Sequence, residues 1–160
     1  MILIRLIIAM TAISVIVMPL RAQTDPVMSK FIMISPVVST RADVERLFGV
    51  GEAKDLVVYR LENYRVWIQY SNGTCTEDWL TPKGTVVTAT IYFYNVVKPL
   101  KELTDSVNLS RLKVRKSLDV EGEKYYFDDK AGRRYDVNEA QMEWISIELY
   151  PPKKYSKLRC

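Results

Sequence analysis

The chain has 160 residues, 26% of them charged, with a net charge of +4 and no histidine. That length suits one domain with a real core, and the charge excess is too small to argue for nucleic acid, so no nucleic-acid partner is expected. The absence of histidine removes the usual general base, the commonest metal ligand and every Ser-His or Cys-His arrangement.

Met1–Leu20 is almost wholly apolar, broken by Arg5, Thr11 and Ser14. A basic residue near the start, an apolar run over 6–20 and the small Ala22 predict a secretory signal at 1–22, cut after Ala22. The run is shorter than the roughly 20 residues of a comfortable membrane span. The alternative is an uncleaved anchor that holds the same domain, residues 23–160, at the membrane face. Loss of Arg5 and Arg21 with the signal lowers the net charge from +4 to +2. The expected location is periplasmic or secreted.

Gln23–Ser35 reads as a lead-in whose apolar end, Phe31–Ile34, suits a first short strand stopped by Pro36. Over Ser39–Gly49 the pattern predicts an amphipathic helix. Ser39 or Thr40 caps it, Asp43 sits near the positive end of its dipole, and Val44, Leu47 and Phe48 form one stripe. Gly49 ends it. The period then changes to two. Leu56–Leu61, Arg65–Ser71 and Thr85–Tyr94 read as strands, with Cys75 and Trp79 in a long loop between the second and third. Lys98–Asp105 is a short helix candidate with Pro99 in its first turn. Lys124–Phe127, Arg133–Val137 and Gln141–Tyr150 complete the β-pattern, and Ile145, Ile147 and Leu149 share a face opposite Trp144, Ser146 and Glu148. These elements predict an α+β domain: short helices on a mainly antiparallel sheet of about six strands, with two halves of similar pattern. Its expected core is Val44, Leu47, Phe48, Val66, Ile68, Val87, Ala89, Ile91, Ile145, Ile147 and Leu149.

Cys75 and Cys160 are the only cysteines. In an oxidising compartment they are expected to pair and to tie down the tail Pro151–Arg159; the alternative is two free thiols.

The helix Ser39–Gly49, the run Tyr70-Ser71-Asn72-Gly73-Thr74-Cys75 and the C-terminal Lys157-Leu158-Arg159-Cys160 resemble a group of small exported bacterial proteins with two paired cysteines. The resemblance implies a disulfide-closed secreted domain and no particular activity. Thr40, Val44, Leu47 and Gly49 also resemble, more distantly, the helix ending of the BamE/SmpA-type outer-membrane assembly lipoproteins, which implies a helix followed by an antiparallel meander. Phe48 stands before the glycine here, and the lipidated cysteine of that group has no counterpart.

No catalytic, cofactor or metal site is assigned. The cysteines have no metal-ligand spacing, and Gly49-Val50-Gly51 lacks the later glycine and lysine of a phosphate loop. Two carboxylate pairs, Glu77-Asp78 and Asp128-Asp129, are weighed against plain solvated turns. Among the aromatics, Trp67, Trp79, Tyr92 and Trp144 are the candidate contacts for a protein or a sugar, against a reading as core and cross-strand packing. Arg111, Lys113 and Arg115 form either a face for anionic envelope polymers or a solvated basic face. Three functions compete: a non-enzymatic interaction domain of the cell envelope, a carbohydrate-binding or carbohydrate-cleaving protein, and an inhibitor acting through a sheet edge. Buried tryptophans without a carboxylate cleft exclude the sugar reading, and an exposed aromatic patch favours a protein partner.

Overall fold

The computed structural model describes residues 25–160, so the expected signal at 1–22 lies outside them. Helix α1 spans Pro26–Phe31. Asp25 caps it, its carboxylate accepting the amides of Val27 and Met28 at 2.9 and 3.3 Å, and Pro26 brings a preset φ to the first turn. The expected strand at Phe31–Ile34 is therefore the end of a helix and a turn, with Phe31 wholly buried. Helix α2 spans Arg41–Phe48. Thr40 and Asp43 cap each other's backbone amides, and Gly49, at φ 91°, closes the helix by donating its amide to the Glu45 carbonyl at 2.8 Å.

The strands follow in chain order: β1 Leu56–Arg60, β2 Tyr64–Tyr70, β3 Cys75–Thr76, β4 Trp79–Leu80, β5 Val86–Phe93 and β6 Lys98–Pro99. Helix α3, Leu100–Thr104, precedes β7 Lys113–Lys116, β8 Glu123–Asp128, β9 Arg133–Asn138 and β10 Glu143–Leu149. Among the described residues one antiparallel sheet of eight strands runs β1-β2-β5-β10-β9-β8-β7, with β6 also on β10, and β3-β4 form a separate hairpin. The expectation of about six strands falls short because β6 has two residues and β7 lies in a basic run without period-two alternation.

Helices α1, α2 and α3 pack on one face of the sheet. Phe31, Val44, Leu100 and Leu103 join Val57, Tyr59, Tyr64, Val66, Ile68, Tyr70, Ala89, Ile91, Tyr135, Val137, Ile147 and Leu149 in a single core. Its central row crosses five registers, Tyr59–Val66–Ile91–Ile147–Tyr135–Tyr126. One expectation fails at a bulge. Between Trp144 and Ser146 the register on β9 slips by one, with Trp144 opposite Val137 and Ser146 opposite Asp136. The extra residue is Ile145, which is displaced from the core row, and Trp144 turns to the core face with its ring 4.8 Å from that of Phe93. A second bulge, at Gln69/Tyr70, sets Tyr70 opposite Val86. Val87 is fully buried but lies outside the main core.

Candidate functional site

The face opposite the three α-helices carries two distinct surfaces. The first is a cleft built by the hairpin and the C-terminus. Thr76 pairs with Trp79, so Glu77 and Asp78 form a two-residue turn at φ 47° and 65°, the doubly positive backbone of a type I′ hairpin. A disulfide joins Cys75 to Cys160. Next to it the Cys160 amide donates to the Asp78 carbonyl at 3.0 Å, and the Arg159 guanidinium stands 5.4 Å over the Trp79 ring. The C-terminal segment, with its 3₁₀ turn at Lys153–Leu158, is thereby strapped to the hairpin. Hairpin, strap and sheet enclose a cleft of about 460 Å³ that includes Glu77, Asp78, Asp129, Glu148, Lys153 and Arg159.

Beneath this cleft lies a charged network. Glu148 and Arg134 are register partners across β10 and β9 and pair at 2.6 Å. Arg134 also donates to both Asp136 oxygens, at 2.7 and 3.1 Å, and the wholly buried Ser146 hydroxyl donates to Asp136 at 2.5 Å. Burial pushes the Glu148 carboxyl up from its ordinary range; Arg134 opposes the shift, and the Asp136 and Glu77 carboxylates add to it. Burial also works against the Arg134 cation, and the Asp136 and Glu148 carboxylates outweigh it. The result is a carboxyl held toward its protonated form at the wall of a cleft that contains further carboxylates.

The second surface is aromatic. On β2 and β5 the strand alternation turns Arg65, Trp67 and Tyr92 away from the core. Trp67 is 43% exposed and meets Tyr92 edge-on at 5.6 Å between ring centres. Tyr94, 61% exposed, carries the Arg65 guanidinium 3.9 Å over its ring. Val58 and Arg60 of β1 complete a shallow apolar area with a cationic rim.

The structure therefore divides the expected contact residues among three places. Trp67 and Tyr92 lie together in the exposed patch. Trp79 adjoins Glu77 and Asp78 in the cleft but is only 7% exposed, covered by Arg159. Trp144 packs against the core, which removes it as an exposed contact. Asp129 reaches the cleft, where it bonds Lys113 and accepts the Tyr150 hydroxyl at 3.1 Å, while Asp128 accepts the Ala131 amide at 3.0 Å within its own turn. Sequence reasoning missed Arg134, Asp136 and Glu148 as a unit, since only strand adjacency brings them together. It also missed Arg65, although a cation two residues before Trp67, on the same strand face, was a usable sign.

Among the described residues no group of three or more acidic or cysteine side chains is placed to hold a metal ion, and no helix is long and apolar enough to cross a membrane. The chain matches no family model, no curated protein and no solved structure. Function has to be read from the two surfaces themselves.

Proposed function

We propose that the chain is a non-enzymatic interaction domain of the bacterial cell envelope that captures a protein partner on the patch of Trp67, Tyr92 and Tyr94. One observation carries this reading: Trp67 and Tyr94 stand exposed on the sheet, with the half-buried Tyr92 against Trp67 and Arg65 and Arg60 beside them. Exposed Trp, Tyr and Arg are the residue types that dominate binding energy at protein interfaces. A periplasmic or secreted address is supported by the disulfide, which persists in oxidising compartments. The test is photo-crosslinking in envelope fractions from a reactive residue placed at Tyr94, with and without Trp67→Ala. One partner recovered repeatedly is expected, with its recovery reduced about 30-fold by the variant, as loss of a hot spot of about 2 kcal/mol implies. Equal recovery with Trp67→Ala sinks the reading.

The carbohydrate reading is favoured by the cleft, where Glu148, with its raised pKa, faces Glu77. A carboxyl with a raised pKa beside a second carboxyl in one cleft supplies the two groups that glycoside cleavage uses. Release of reducing ends from an envelope polysaccharide, abolished by Glu148→Gln, would support it; no release ends the cleaving form.

We also infer that the domain consists of two similar halves, β1-β2-β5 and β8-β9-β10, which meet where Ile91 opposes Ile147. Support comes from the shared succession of strands and from the central row, which matches Tyr59 with Tyr126 and Val66 with Tyr135. Under this alignment Arg65 and Trp67 occupy the positions of Arg134 and Asp136. One half thus exposes an aromatic patch where the other builds a charged network. Superposing the two three-strand units tests this, and a failure to bring Val66 onto Tyr135 together with Ile91 onto Ile147 overturns it.

A further inference from the structure

We propose that the outer edge of β7 takes an extended acidic peptide as an added antiparallel or parallel strand, a second binding surface independent of the aromatic patch. β7 ends the sheet and pairs only with β8 among the described residues. The hydrogen-bond phase fixes which of its groups are free. The Ser117 amide donates inward to the Glu123 carbonyl at 2.9 Å. By alternation along an antiparallel ladder, Arg115 and Lys113 also turn their backbone groups toward β8. Val114 and Lys116 therefore aim their amides and carbonyls away from the sheet, where a further chain segment would meet them in register.

The side chains choose the occupant. All four residues of β7 are exposed, and three are cationic: Lys113, Arg115 and Lys116. Arg111 lies just upstream; Val114 is exposed within the strand, and the exposed Leu118 and Val120 follow in the connection to β8. Lys113 reaches Asp129 and Arg115 lies over Phe127, which leaves Lys116 projecting without an ion pair among the described residues. A second copy of β7 laid across this edge would set cation against cation, which cross-strand pairing disfavours. Lysines on an edge repel neutral and like strands, and the same charges attract a strand of alternating acidic and apolar residues. A peptide fits better than an anionic polysaccharide, because only a peptide answers the two free amides and two free carbonyls at strand spacing.

The test uses a fluorescent eight-residue peptide of alternating Glu and Val, with a Lys–Val counterpart and dextran sulfate as controls. Polarisation should show the acidic peptide binding, weakening as salt is added, with the Lys–Val peptide inert. Val114→Pro removes an outward amide and leaves the inward ladder intact, so it should weaken binding about tenfold or more while circular dichroism stays unchanged. Arg115→Glu with Lys116→Glu should reverse the preference toward the Lys–Val peptide, which keeps the test decisive should the proline variant misfold. The proposal is overturned by no binding of the acidic peptide, by binding indifferent to both variants, by tighter capture of dextran sulfate, or by dimerisation that Val114→Pro abolishes. None of these results touches Trp67, so the patch reading stands or falls separately.

Discussion

Replacing Cys160 by Ser is expected to lower the unfolding free energy by about 4–5 kcal/mol. The two cysteines are 85 positions apart, so the bond closes a loop of about 86 residues in the unfolded chain. Chain-entropy arithmetic for such a loop gives about 15 cal/mol/K, or about 4.6 kcal/mol at 25 °C. Few native contacts offset or enlarge that figure. Both cysteines are exposed, so the serine leaves no buried cavity, and the Cys160 amide can still reach the Asp78 carbonyl. The effect acts almost wholly on the unfolded state, and it is a large share of the roughly 5–15 kcal/mol that holds a domain together. Urea denaturation of native and Cys160→Ser protein measures it directly. The midpoint should fall, and the slope should rise because an uncrosslinked chain exposes more surface on unfolding. Limited proteolysis should then cut within the strap, 151–160, before the sheet is lost. A loss below about 1 kcal/mol with an unchanged slope would refute the reasoning, since the loop ends would already have to lie close in the unfolded chain.

Two further substitutions test other parts of the fold. Gly132 has φ +66°, and a Cβ there would come 2.2 Å from the Tyr150 carbonyl and 2.9 Å from Pro152. Gly132→Ala should cost about 2–4 kcal/mol in denaturant titration, and a cost under about 0.5 kcal/mol would show that the strap moves aside freely. Asp25 should contribute to a loss of stability in acid, together with Asp43, Asp129 and Glu139, whose carboxyls are also held below their ordinary values. Burial raises the Asp25 pKa, yet the Tyr64 hydroxyl and the Met28 and Val27 amides outweigh this and hold it below 3.8. The unfolded state then binds the proton more readily, so the contribution is present above pH 3.8 and is lost as pH falls through the native value. Asp25→Asn should keep the cap and make this acid limb shallower, whereas Asp25→Ala should cost about 1 kcal/mol at neutral pH; an acid limb unchanged by both variants would assign it to the other carboxyls.

Local signals were legible and strand adjacency was not. The cap, stripe and glycine stop of α2 are all short-range features, and so are the hairpin turns and the alternation of β2 and β5. The start of α1 was present in the text as Asp25-Pro26, but the apolar run Phe31–Ile34 suggested a strand, because a run of four fits either element. The bulge at Ile145 exchanges the faces of Trp144 and its neighbours, and no residue near it announces the slip. The network of Arg134, Asp136, Ser146 and Glu148 is invisible until β9 and β10 are known to be neighbours in register. The same holds for the disulfide's consequences. Pairing was readable from two cysteines, whereas the cleft it closes depends on the β3-β4 hairpin, whose strands of two residues leave no periodic trace.

That hairpin is also where local preference and the observed backbone disagree most. A type I′ turn asks for Asn-Gly, and the chain supplies Glu77-Asp78. Holding an unbranched glutamate at φ 47° costs about 1 kcal/mol. Changing Glu77 to Asn together with Asp78 to Gly should therefore stabilise the domain by about 1 kcal/mol in the same urea titration. The backbone bond from Cys160 to residue 78 is retained, because it involves only the carbonyl. The substitution also removes two carboxylates from the cleft and one negative neighbour from Glu148, so the Glu148 carboxyl should fall toward its ordinary pKa. Increased stability with unchanged partner capture would mean that the glutamate serves neither folding nor the patch, leaving the cleft as the place where its strain is used. A fall in stability would sink this account, since it would show that the side chain of Glu77 or Asp78 supports the fold by more than the turn costs it.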